Sequence, residues 1–145
     1  MEKRLKVLFL CTANSCRSQM AEGWARRLRG ETIEAYSAGI EPKGPDHRAV
    51  SVMAEAGVDI SAQRSKALRE VLEIPFDFVV TVCTDADKRC PIFPGSAKVI
   101  HVGFDDPPQL AAQAGSEEEA MAHYRRVRDE IRDFVATLPD SLLKR

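Results

Sequence analysis

A chain of 145 residues, 44% hydrophobic and 30% charged, has the size and make-up of one soluble globular domain with an adequate core. Its net charge of -1, with both signs interspersed, gives no electrostatic case for nucleic acid or an anionic membrane as partner. No apolar run in it approaches the roughly 20 residues that a membrane span needs.

The first apolar run, "KVLFL" at 6–10, follows basic residues as a signal peptide would. It is too short for an h-region, and a Cys-Arg segment follows at once. It reads as the first strand of a cytosolic protein. In that compartment the four cysteines point to catalysis, redox chemistry or metal binding rather than to structural disulfides.

The next stretch, "CTANSCRS", runs from a strand end into a helix. Successive backbone N–H groups across Thr12, Ala13, Asn14, Ser15, Cys16, Arg17 and Ser18 can form a concave nest for an oxyanion. The helix N-terminus adds partial positive charge, and Arg17 offers a planar fork to two oxygens of a tetrahedral anion. The same field favours a thiolate at Cys11, aimed at the central atom of the bound anion. Ser18 can donate to that sulfur, and Asn14 tolerates a left-handed backbone. The competing reading makes Cys11 a buried apolar thiol and Arg17 a solvated charge. The strand-loop-helix setting favours the cradle.

Met20, Ala21, Trp24, Ala25 and Leu28 then recur at helical spacing, with Gly30 as a stop. A strand, "IEAYSA", is expected at 33–38. Ala49, Val50, Val52, Met53 and Ala56 predict a second helix ending at Gly57. Ser65 is positioned to cap a short helix carrying Leu68, Val71 and Leu72, which Pro75 would terminate. Strands follow at 76–82 and 97–102. Most of these strands are almost continuously apolar, which suits a mainly parallel sheet covered on both faces.

Between the last two strands, Cys83 stands at a strand end and Cys90 seven residues on. If residues 84–89 are helical, those thiols lie about 10 Å apart along the axis, whereas a disulfide needs Cα atoms within roughly 7 Å. "TDADKR" is polar and bounded by Pro91, so such a helix would be marginal. Zinc is a competing use of the thiols. The spacings C-x4-C and C-x6-C are not the usual knuckle pattern, and His47, His101 and His123 show no ligand spacing. Cys16 has two readings, a packed thiol or a reserve partner for Cys11 under oxidation.

After the fourth strand, Asp105 and Asp106 open what reads as a flexible, proline-containing loop. A carboxylic acid there can protonate a departing oxygen. A bare Asp-Asp-Pro is more often a turn, but its place on the same rim as Cys11 favours the acid. Ser116 and Glu119 form a capping box that opens a long amphipathic helix with Met121, Tyr124, Val127, Ile131, Phe134, Val135 and Leu138 on one stripe.

Strand alternating with helix predicts right-handed crossovers, hence a single three-layer α/β/α domain over residues 1–145 with a four-stranded parallel sheet. Ligands in such sheets bind beyond the carboxyl ends of the strands, where Cys11, Cys83 and Asp105–Asp106 all fall.

In order along the chain, "CTANSCRSQMAEGW", "YSAGIEPKG", "VVTVCTDADKRCPIFPG" and "GFDDP" resemble the low-molecular-weight protein tyrosine phosphatase fold, specifically its arsenate reductase branch. Ala13 departs from the glycine usual at that loop position. The resemblance implies that Cys11 attacks arsenate while Arg17 and the loop amides hold its oxygens, and that Asp106, the residue before the first proline, is the acid. It further implies a relay in which Cys83 pairs with Cys11, then with Cys90, before thioredoxin resets the chain. Cys83–Cys90 would then be a reversible switch that forms when its segment loops out. No cofactor is expected, and the protein would be a monomer. A tyrosine phosphatase on the same scaffold is the nearest rival. "DDPP" lacks the tyrosine that phosphatases tend to place after Asp-Pro, and phosphatases do not need the second thiol pair. A non-catalytic, phosphate-binding redox sensor is the third reading. The resemblance also implies, for some members, a potassium ion near the cradle at positions matching Asn14, Glu22, Ser37 and an acid that is Lys66 here. Lys66 has two readings, an ammonium that pairs with Glu22 in the cation's place or a solvated surface lysine, and on either no potassium activation is expected.

Overall fold

The strands of the computed structural model, which describes residues 4–13, 16–44, 46–83, 93 and 96–144, form one parallel sheet. β1 (Leu5–Cys11), β2 (Ile33–Gly39), β3 (Phe78–Thr81) and β4 (Lys98–His101) stand in the order β2-β1-β3-β4. β1 is central, pairing Phe9 with Ser37 on one side and with Val80 on the other. Its side chains alternate between faces, as a period of two requires. Val7, Phe9 and Cys11 join one core cluster, while Leu8 and Leu10 join a second on the opposite face. Both faces are therefore buried from Val7 onward, which explains why β1 is continuously apolar from there to Cys11.

The first cluster is covered by helices α1 (Arg17–Arg29), α2 (His47–Glu55) and α4 (Glu117–Val135), with Leu142 from the short α5 (Asp140–Leu143). α1 approaches its neighbours closely at Gly23, where an added Cβ would lie 2.5 Å from Ile60 Cγ2 and 3.2 Å from Met53 Cε. Trp24 Nε1 donates to the Arg128 carbonyl at 3.1 Å and ties α1 to α4. The opposite face is covered by Tyr36, Leu68, Val71, Ile74, Phe76 and Phe93, with Phe76 stacked edge-on between Tyr36 and Phe93. Among the described residues no helix is long and apolar enough to cross a membrane.

Three local expectations change. The helix expected after Ser65 is only a 3₁₀ turn, Leu68–Glu70. Ala67 is held extended by a parallel bridge to Gly39, and the Glu70 carboxylate accepts its N–H at 2.8 Å, so no helix begins before residue 68. The Ser65 hydroxyl donates instead to the Ala13 carbonyl at 3.3 Å. The loop after β4 is helical over α3 (Pro107–Ala112), because proline suits the first helical positions. At the start of α4, Ser116 Oγ accepts from the Glu119 N–H as a cap, but Glu119 turns back to the N–H of Gly115 rather than to that of Ser116.

Candidate active site

Cys11 is the last residue of β1, and the chain re-enters regular structure at Arg17, the first residue of α1. Between them the Thr12 carbonyl accepts from Glu41 N–H at 3.0 Å, and the Ala13 carbonyl from Lys43 N–H at 3.1 Å. A trans peptide sets its N–H opposite its C=O, so the Ala13 N–H is aimed away from the 41–43 segment. Asn14 and Ser15 lie outside the described residues. Cys16 precedes the helix, and its carbonyl accepts the first helical bond, from Met20 N–H at 2.9 Å. Ser18, fully buried in the first turn of α1, brings its hydroxyl to 2.9 Å from Cys11 Sγ, the contact expected from the spacing.

Arg17 is 4% exposed, which removes the solvated-charge reading. Its Nη1 donates to the Phe104 carbonyl at 3.0 Å, and its Nη2 lies 3.7 Å from Asp106 Oδ2. The arginine that opens α1 is thus locked to the loop that follows β4. Asp106 occupies the cap position of α3, yet its side chain makes no capping hydrogen bond. Pro107 and Pro108 leave only the Gln109 N–H as a cap donor, and the carboxyl lies beside Arg17 instead of on the helix end. Asp105, its neighbour, turns outward and accepts from Arg126 Nη2 at 3.1 Å.

Cys11, Cys16 and Cys83 are buried thiols in the same core cluster. Cys83 follows β3 and is completely buried, and because β1, β3 and β4 are parallel neighbours their carboxyl ends lie on one rim. Cys90, and with it the expected helix at 84–89, lies outside the described residues. Burial pushes the Cys16 thiol well above its usual range, and the Asp46 carboxylate, Cys11 and Asp106 add to the effect against the opposing pull of Arg17. Cys16 is therefore held as the neutral thiol.

Below the loop, Glu22 is 2% exposed and accepts from Ser37 Oγ at 2.5 Å. Arg26 Nη2 pairs with it at 2.8 Å, and Lys66 Nζ lies 3.8 Å away, the first of the two readings of that lysine. Burial pulls the Lys66 ammonium below its ordinary range, while Glu22 works against that. Among the described residues no group of three or more His, Cys, Asp or Glu side chains is arranged to hold a metal ion.

Sequence reasoning did not single out Asp46, Tyr124 as a polar group, Arg126 or the Phe104 carbonyl. Asp46 caps α2 by accepting from Arg48 N and Ala49 N, and accepts the Tyr124 hydroxyl at 2.7 Å. An Asp just before the apolar periodicity of α2 was a readable cap signal. A backbone carbonyl has no such signal.

A family model described as low molecular weight phosphotyrosine protein phosphatase matches residues 6–145. An arsenate reductase of Bacillus subtilis is 50% identical over 131 residues, which are 90% of this chain and 91% of that protein. A solved structure of an arsenate reductase in a phosphate-binding state superposes with a TM-score of 0.78 at 30% identity, covering 94% of this chain and 98% of that one. A thioredoxin-dependent arsenate reductase of Corynebacterium glutamicum gives a TM-score of 0.64 at 25% identity, over 97% of this chain and 64% of that one.

Proposed function

The chain belongs to the low molecular weight phosphotyrosine protein phosphatase family, and from that premise we propose that it reduces arsenate to arsenite through a relay of cysteine thiols. The observation that carries this reading is the meeting of Cys11, Arg17 and Asp106 at one rim with a second buried thiol, Cys83, in the same cluster. Arsenate is a tetrahedral oxyanion, so a loop of backbone donors with a guanidinium fork suits it.

In the proposed sequence, the Cys11 thiolate forms a bond to arsenic(V) while one oxygen leaves, protonated by Asp106. Cys83 as thiolate attacks the Cys11 sulfur. The sulfur–arsenic bond breaks with its electron pair remaining on arsenic, which departs as arsenite, and a Cys11–Cys83 disulfide remains. Cys90 attacks Cys83, releasing Cys11 as thiolate and leaving Cys83–Cys90. Thioredoxin, as an external dithiol, returns that disulfide to two thiols by exchange and supplies the two electrons consumed. The reading puts the enzyme in the cytoplasm, acting as a monomer. The Ser18 hydroxyl within hydrogen-bond reach of Cys11 Sγ supports Cys11 as the nucleophile, and the neutral Cys16 supports a packing role for that thiol.

A phosphatase would use Cys11, Arg17 and Asp106 in the same way, so a weak phosphatase side activity is compatible with the proposal. A second buried thiol, Cys83, in the same core cluster as Cys11 favours reduction as the main activity, because phosphate transfer consumes no electrons. Purified protein supplied with thioredoxin, thioredoxin reductase and NADPH is expected to oxidise NADPH only when arsenate is present. An aryl phosphate turned over faster than arsenate would instead support the phosphatase. Disulfide formation with peroxide but no arsenate-dependent NADPH consumption would support the redox sensor.

A further inference from the structure

The acid loop is held from outside the cradle. Its backbone is fixed on one side, where Phe104 N–H donates to the Val82 carbonyl at 3.1 Å and the Phe104 carbonyl accepts from Arg17. The Phe104 ring packs on Phe134 of α4, with centroids 6.1 Å apart. One residue further on, Asp105 accepts from Arg126 Nη2 at 3.1 Å. The other arm of that guanidinium, Nη1, lies 3.2 Å from Glu130 Oε2, one helical turn along α4. Arg126 is thus oriented on its own helix before it reaches Asp105, so less side-chain freedom is lost in making the bridge. Asp105 and Asp106 are adjacent, and their carboxylates are sent in opposite directions, one to Arg126 and one toward Arg17.

We propose that Arg126 is a positioning residue for the acid step, acting through Asp105 to keep Asp106, and not its neighbour, facing the cradle. The pair lies at the surface, with Asp105 and Arg126 both more than two-fifths exposed, so its contribution to folding stability is small. Its effect is on geometry. Without the bridge the loop is released from α4 and samples positions in which Asp106 is withdrawn from Arg17. The inference rests on the reading of Asp106 as the acid, and a variant of Asp106 separates the two.

The test is the pre-steady-state burst rate of arsenite formation at saturating arsenate in the full-length enzyme. Arg126→Gln and Asp105→Asn are each expected to slow the burst about two- to five-fold, the factor an exposed ion pair can hold. Apparent arsenate affinity and melting temperature should stay unchanged, and Arg126→Lys should retain most of the rate. In an Asp106→Asn background, Arg126→Gln should slow the burst no further. If Asp106→Asn is slow while Arg126→Gln and Asp105→Asn match the parent, the positioning role is overturned and the acid stands. If Arg126→Gln slows the Asp106→Asn enzyme by the same factor as the parent, Arg126 acts by another route and the inference fails. If Asp106→Asn matches the parent, the reading of the acid falls and this inference falls with it.

Discussion

Three buried thiols lie in one core cluster, and Cys11 and Cys16 meet different surroundings there. Cys11 meets a hydroxyl at 2.9 Å, whereas Cys16, five residues on, is buried among groups that disfavour its charge. Only the thiolate reacts with alkylating agents at useful rates. Native protein treated with iodoacetamide at pH 8 should therefore leave Cys16 unmodified, and the same treatment in urea should alkylate it. Native labelling of Cys16 at the rate of a free cysteine would contradict the account. Much of this site was legible, because Cys11 and Cys83 each follow an apolar run that reads as a buried strand, and Asp106 follows the partly exposed strand β4. Arg17 was legible because it opens the helix that such a strand feeds. The Phe104 carbonyl was not, since every residue has one, and Tyr124 was hidden within the core stripe of its helix although its hydroxyl reaches Asp46. Arg126 was one of many surface charges until the fold set it opposite Asp105.

At the scale of the element, strands and long helices followed their periodicity, and short segments followed their neighbours. Residues 65–72 carry a helical pattern with a capping serine, yet the bridge between Gly39 and Ala67 overrides it. The opposite happened after β4, where Asp-Pro-Pro reads as a loop and begins a helix. α1 shows what a pattern cannot carry, because its Gly23 looks like a helix-weakening residue. Alanine there should stabilise an isolated helix by about 1 kcal/mol. In this protein the added methyl would meet Ile60 Cγ2 at 2.5 Å, on a β-branched side chain with little room to rotate away. Overpacking of that kind costs about 1–3 kcal/mol. Gly23→Ala is therefore expected to lower the urea midpoint of unfolding, and a raised midpoint would show that α1 is free to move off the 53–60 segment.

At the scale of the whole molecule, the order β2-β1-β3-β4 does the assembling. β1 and β3 are adjacent and parallel, so the residues that follow them, the cradle loop and Cys83, emerge side by side, and β4 delivers the Asp105–Asp106 loop next to them. Segments more than 90 residues apart in sequence thus share one rim, Cys11 with Asp106. The proposed relay hands a disulfide outward, from Cys11–Cys83 to Cys83–Cys90, while electrons from thioredoxin travel the opposite way to arsenic. A Cys90→Ser variant, mixed with excess arsenate, thioredoxin, thioredoxin reductase and NADPH, isolates that transfer. The prediction is a burst of about one arsenite per enzyme followed by a stall, with a Cys11–Cys83 disulfide in the stalled protein. Sustained turnover of that variant at the parent rate would contradict it.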